Sequence, residues 1–159
     1  MTWWAEAEIQ AANCHGTLTV GGVSLNRSAL AVLNVATLWE PAPPRGENLL
    51  IPFSAGRMSF ARMRDERAGS LQMLVVGTVD VNGTRNPDPY IGLEENIGWL
   101  NANLFAPAET MTPFNAVLTM PSGAQKQGPI QFGAVQFGWE IAMATTLTVD
   151  FVLPRGCLQ

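Results

Sequence analysis

The sequence predicts a mainly β fold of the α+β kind, a sandwich or barrel with one helix packed on it, and three observations predict it. Short runs rich in Val, Leu, Ile and Thr recur along the chain, most of them bounded by Gly, Ser, Asn or Pro. One segment, 92–104, carries apolar residues at convincing helical spacing. The chain has 159 residues, 47% of them hydrophobic, which is enough to close one real core and too few for two, so 1–159 reads as a single domain.

The first strand is expected over 17–20, with the turn pair Gly21-Gly22 and a second run at 23–25 completing a tight hairpin. Residues 30–39 read as a longer extended segment whose apolar residues fall on both faces, which predicts a strand held between layers. The stretch EPAPPRGEN then interrupts regular structure. Pro41, Pro43 and Pro44 fix φ and remove three amide donors, which predicts an exposed, semi-rigid loop, and Pro52 demotes 49–53 to an edge or entry segment. From Arg57 the pattern alternates, with Met58 and Phe60 opposite Arg57 and Ser59, and ends in the charged run 62–67. A polar turn at 68–70 leads into an expected strand over 71–81, with Leu71, Met73, Val75, Val79 and Val81 on one face. Asn82-Gly83 signals a hairpin, yet Pro87-Asp88-Pro89 follow, so 82–91 is expected as a loop.

Over 92–104, Leu93, Ile97, Leu100 and Leu104 form one helical stripe, and Glu94 and Glu95 suit the positive end of the dipole in a first turn. Burial of each Leu or Ile stabilises by about 1.5 to 3 kcal/mol. The stripe therefore outweighs the roughly 1 kcal/mol cost of Gly98 in mid-helix, and the helix should lie on a sheet. Three more strands are expected: 116–120 with a Ser122-Gly123 turn, 130–137, and 140–153. The last alternates, setting Ile141, Met143, Leu147, Val149, Phe151 and Leu153 on one face and Glu140, Thr146, Thr148 and Asp150 on the other.

Charged residues make up 14% of the chain, against about a quarter in an average domain, which predicts that a partner covers some of its surface. The alternative is a monomer kept soluble by Asn, Gln, Thr and Ser. A net charge of −4 and a single lysine, Lys126, exclude a protein that grips nucleic acid, since phosphates must be neutralised by clustered cations. Passage of DNA along an acidic or neutral surface is compatible with this balance. No stretch approaches the roughly 20 apolar residues of a membrane-spanning helix, and the amino terminus has acids where a signal peptide has bases, which predicts a soluble chain made in the cytoplasm. Cys14 and Cys157, near opposite ends, are expected as reduced structural thiols.

The side chains offer little catalytic chemistry. His15 is the single histidine, and its neighbour Cys14 would point to the opposite face of a strand. One His and two distant Cys do not give zinc-ligand spacing. The acidic pairs Glu6/Glu8, Asp65/Glu66 and Glu94/Glu95 sit in charged or helix-start contexts, and Asp80-x-Asn82-Gly83 lacks the later acidic positions of a calcium loop. No catalytic, cofactor-binding or metal-binding residue is assigned, and no enzymatic activity is expected. The most concentrated polar feature is the arginine group Arg57, Arg62, Arg64 and Arg67; arginine's planar fork suits ion pairs at a protein interface, and an ordinary charged strand end is the plainer alternative. Five tryptophans, Trp3, Trp4, Trp39, Trp99 and Trp139, are many for this length and suit either interface anchors or core packing.

The order of parts, an early hairpin, a Pro-rich loop, strands joined by a short turn, one amphipathic helix and strands to the end, resembles the tail-tube fold of long-tailed bacteriophages. The stretch RGENLLIPFSAGRMSFARMRDERAGSLQMLVVGTVDVNG, followed by GLEENIGWLNANL, is similar to the amino-terminal ring domain of distal tail and minor tail proteins in phages of actinobacteria. The resemblance implies a structural virion protein of the tail that forms rings of six copies, either a distal or minor tail ring or the tail tube itself, around a channel through which DNA passes as transient cargo, and contacts with neighbouring tail proteins. It further implies an inter-subunit loop over 40–56, an assembly arm over 1–16, and interface roles for Trp39, Pro41, Pro43, Pro44, Arg45, Arg57, Arg62, Arg64 and Arg67. It requires no cofactor. A β-sandwich carbohydrate-binding module is the rival from another class, and it predicts aromatic side chains gathered on one exposed strand face.

Overall fold

The computed structural model describes residues 4–40, 66–108, 113–141 and 143–159, together with the backbone of four two-residue strands between 44 and 64; the side chains of 139–141 are not among those described. Seven strands form one antiparallel sheet. In chain order they are β1 (Thr17–Val20), β2 (Val23–Ser24), β3 (Leu30–Val32), β8 (Arg67–Val76), β9 (Phe114–Thr119), β10 (Gln125–Ile141) and β11 (Ala144–Leu153), and in space they run β2-β1-β9-β10-β11-β8-β3. The intervening short strands are β4 (Pro44–Arg45), β5 (Leu49–Leu50), β6 (Arg57–Met58) and β7 (Met63–Arg64).

The two outermost strands of the sheet are neighbours in sequence, and this forces the sheet to curl. Laid flat, seven strands would separate β2 from β3 by roughly 29 Å at about 4.8 Å per gap. The link from Ser24 to Leu30 reaches at most about 21 Å even fully extended. The inner face of the curl is filled by Leu18, Val20, Leu30, Val32, Leu71, Met73, Val75, Leu118, Ile130, Leu147, Val149, Phe151 and Leu153, all buried. The bend is concentrated in β10, whose first half pairs with β9 and whose second half pairs with β11. Between them Gly133 and Ala134 face the single residue Asp150, a bulge that turns the strand from one half of the sheet to the other.

Helix α2 (Pro89–Leu100) closes the mouth of the curl and continues through a π turn, Asn101–Phe105, into one more turn, Ala106–Ala108. Its expected stripe is present: Leu93, Leu100 and Leu104 are buried in the core and Ile97 packs against it. The helix starts earlier than the stripe suggests, because Asp88 caps it by accepting from the Tyr90 and Ile91 amides and Pro89 occupies the first turn, where no amide is needed. Glu94 and Glu95 consequently lie beyond the first turn. Asn96, buried on the same helix, donates to the carbonyls of Val76 (2.7 Å) and Val79 (2.9 Å) and so fixes the helix to the end of β8. The helix comes so close there that a Cβ on Gly77 would sit 1.9 Å from the Pro89 carbonyl oxygen.

Several expectations are corrected. A second helix, α1 (Trp4–Cys14), lies on the outer face of the sheet, burying Ala5, Ile9 and Ala12 against Ala29, Ala31, Leu74, Val76 and Ala144. The extended segment expected over 30–39 is strand only to Val32, then a bend and a 3₁₀ turn, Val35–Trp39. The polar turn expected at 68–70 lies inside β8, which ends at Val76, and Val79 instead forms an isolated bridge with Arg85. The strand expected over 140–153 contains a hairpin turn, so Ile141 belongs to β10 and pairs with Ala144. The Gly21-Gly22 hairpin stands as expected, with φ of 58° and 81°, values that favour glycine.

Candidate functional site

The Pro-rich loop is not devoid of regular structure. Pro44 pairs with Arg64 and Arg45 with Met63, and inside that pair Leu49 meets Met58 and Leu50 meets Arg57. These are two separate two-residue antiparallel pairings, together called the ribbon below, and neither belongs to the seven-stranded sheet. Pro44 is tolerated because a ribbon edge does not need its missing amide. The ribbon leaves the body between Glu40 and Arg67. Arg67 donates from Nη1 to the Glu40 carbonyl at 2.8 Å and from Nη2 to the Glu40 carboxylate at 3.0 Å, tying the two feet together. Beside that clamp the Lys126 ammonium sits 4.3 Å from the Trp39 ring centroid.

Of the residues expected at an interface, Pro44, Arg45, Arg57 and Arg64 therefore fall on the ribbon, Arg67 and Trp39 at its base, and Pro41, Pro43 and Arg62 outside the described residues. The Arg67 guanidinium is engaged within its own chain. Charge separates ribbon from body. Residues 41–65 carry four arginines (Arg45, Arg57, Arg62, Arg64) against Glu47 and Asp65, a net of +2. The remaining five cations and eleven acids leave the rest of the chain at −6.

The two sides of the half-sheet β10-β11-β8-β3 are finished differently. On the β8 side, β3 covers 73–75, the Leu33 amide continues to the Gln72 carbonyl (2.8 Å), and the Asn34 side chain then takes the place of a strand. Its Oδ1 accepts from the Gln72 amide at 2.8 Å and its Nδ2 donates to the Ser70 carbonyl at 3.0 Å. On the β10 side, no strand among the described residues pairs with the far edge beyond Ile130. Residues 133, 134, 136, 137 and 138 are all exposed, Phe137 by 45%. Between Gln131 and Ile141 the only charge is Glu140 and there is neither lysine nor proline, the residues that usually guard an edge. Sequence reasoning missed the full length of this strand because it expects strand only over 130–137, with 125–129 unassigned and 140–141 joined to the strand that follows.

A polar cleft between α1 and the 79–85 segment is lined by Glu6, Asn13, Asn26, Arg27 and Arg85. Its main groups satisfy one another. The buried Glu6 carboxylate accepts from Arg85 (2.9 and 3.4 Å) and from the Thr78 hydroxyl, and Asn13 accepts from Asn26 (2.8 Å) and donates to the Arg27 carbonyl (3.2 Å). Asp80 is used as a turn cap, its Oδ1 accepting from the amides of Asn82 and Thr84. Among the described residues no three His, Cys, Asp or Glu side chains converge, and no helix is long and apolar enough to cross a membrane. Trp4, Trp39 and Trp99 lie on α1, the 3₁₀ turn and α2, with the Arg27 guanidinium 4.8 Å from the Trp99 ring centroid, so they share no strand face.

The sequence matches no family model, and no curated protein is significantly similar to it. Its fold does match a solved structure, the crystal structure of the Dit protein (gp 19.1) of SPP1, described as a paradigm of the hub adsorption apparatus in phages that infect Gram-positive bacteria. The TM-score is 0.56 at 13% sequence identity, over 89% of this chain and 50% of that one. The chain thus spans about half the length of Dit, and what the two share is a mainly β fold.

Proposed function

We propose that the chain is a structural, non-enzymatic component of a phage tail, which builds a ring of six copies around the DNA channel and contacts neighbouring tail proteins. The observation that carries this assignment is the likeness to Dit over 89% of the chain, because it includes the curled sheet and helix together and not one motif. Further support comes from the surface. A charged fraction of 14% and short strand pairings that do not belong to the main sheet suit a subunit whose surface is completed by others. In this assignment the 40–56 segment and the arginines of the ribbon meet an adjacent subunit, with Trp39 and Arg67 setting the ribbon's base. Residues 1–16 contribute to assembly from the outer face. The acidic balance lets DNA pass without sticking, and the protein resides in the virion tail after synthesis in the host cytoplasm.

Negative-stain images of the purified chain test the proposal. Closed rings with sixfold class averages are expected; a field of single particles of 17.1 kDa at every concentration would overturn it.

A further inference from the structure

The Asn82-Gly83 pair lies at the tip of a loop closed by the bridge between Val79 and Arg85. Asp80 holds this loop together. Its carboxylate accepts from the amides of Asn82 and Thr84, both at 2.8 Å, its own amide donates to the Thr84 carbonyl (2.8 Å), and its carbonyl accepts from the Gly83 amide (3.0 Å). Gly83 has a φ of 91°, a value that favours glycine, so the turn alone accounts for that residue. The chemistry of the pair goes further. Glycine has no side chain to shield its amide nitrogen, which can close a ring on the carboxamide carbon of the asparagine before it. Asn82 is the one asparagine of the chain followed by glycine. Asn13, Asn26, Asn34, Asn86, Asn96 and Asn103 hold their carboxamides in hydrogen bonds, whereas the exposed Asn82 carboxamide makes none among the described residues.

We propose that Asn82 is a site of intramolecular deamidation and that Asp80 sets its rate by holding the turn closed. The Gly83 nitrogen loses its proton to water and bonds to Asn82 Cγ; the Cγ–Nδ2 bond breaks, and the nitrogen leaves as ammonia with a proton from water. Water then opens the cyclic imide at either carbonyl carbon. One opening gives aspartate, and the other gives isoaspartate, in which the chain runs through the side-chain carboxyl and is one methylene longer. In the closed turn the Gly83 N–H is engaged with the Asp80 carbonyl, so attack waits for an opening that breaks the charge-assisted bonds to Asp80. Either product sets a second carboxylate close to Asp80, and isoaspartate also displaces the backbone between Val79 and Arg85. Arg85 engages the buried Glu6 of α1 at 2.9 Å, so conversion of the loop loosens the hold on that helix. The site stands independently of the ring assignment.

The full chain, incubated for weeks in mildly alkaline buffer and sampled by peptide mass mapping, tests the proposal. Conversion of carboxamide to acid should appear first at Asn82, as aspartate and isoaspartate, and Asn82→Gln, whose longer side chain closes the ring far less readily, should abolish it there. The folded chain should convert at least about tenfold more slowly than the same chain in urea, where the turn is lost. Asp80→Ala should raise the folded rate at least about tenfold, and Asp80→Asn, which keeps an acceptor in place, should restore most of the protection. In the converted fraction the Ile9 amide of α1 should exchange about threefold faster. No conversion at Asn82 in the folded chain, or conversion first at another asparagine, would overturn the site. An Asp80→Ala chain no faster than wild type, an Asp80→Asn chain as fast as Asp80→Ala, or equal rates folded and in urea would overturn the role of Asp80; where Asp80→Ala fails to fold, the urea comparison decides. Unchanged exchange at Ile9 would overturn the link to α1.

Discussion

The β8 edge and the β10 edge bound the same half-sheet, yet one is closed by a side chain and the other by no strand among the described residues. At β8 the segment after β3 bends away, and its Asn34 amide reproduces the next donor and acceptor of a strand. At β10 no strand among the described residues continues the sheet beyond Ile130. A monomer that had to guard both edges would be expected to treat them alike. The difference teaches that one side-chain amide can close a sheet where its last strand bends away, with no second copy needed at that side.

Substitutions can break or sharpen this contrast. The largest effect is expected beneath both edges. Phe151→Ala empties the inner face shared by β8, β10 and β11 and should lower unfolding free energy by about 3 to 5 kcal/mol in urea denaturation, whatever the state of assembly. Asn34→Ala strips the guard from β8. It should cost about 1 to 3 kcal/mol by orphaning the Gln72 amide and Ser70 carbonyl, and it should create an open edge at β8, seen as irregular aggregates by light scattering. Asn96→Ala orphans two carbonyls in the same way and should cost a similar amount, but it lies away from either edge and should leave assembly unchanged. The smallest effect is expected from Glu40→Gln. The Glu40 side chain is 69% exposed, so loss of its ion pair with Arg67 should change stability by less than about 1 kcal/mol, and its consequence should appear in ring formation through a looser ribbon base.

Much of this was legible in the residues. Gly21-Gly22 gave the hairpin, because two consecutive positive φ values leave few other choices. The Leu93, Ile97, Leu100, Leu104 stripe gave the main helix, because burial of large side chains leaves a strong period. Helix α1 was missed, although Ala5, Ile9 and Ala12 have helical spacing, because two of the three are alanines and carry little hydrophobic signal. The β10-β11 hairpin was missed because the sequence between the paired residues Ile141 and Ala144 holds neither Gly, Pro, Asn nor Asp, so the alternation runs straight through. Asn34 could not be recognised as a false strand from sequence, since its role depends on Ser70 and Gln72, 36 and 38 residues away. The arginine group is visible in the sequence as its densest charge, but its division into a ribbon set and an Arg67 clamp depends on the pairing of Glu40 with Arg67 across 27 residues.

Site-resolved hydrogen exchange across a dilution series tests the central contrast most directly. The Gln72 amide, held by Asn34, should exchange slowly whether the chain is dilute or assembled. In an Asn34→Ala chain the same amide should exchange at least about tenfold faster when dilute. Fast exchange of the wild-type Gln72 amide in the dilute chain, or no change on Asn34→Ala, would contradict the claim that a side chain closes this edge.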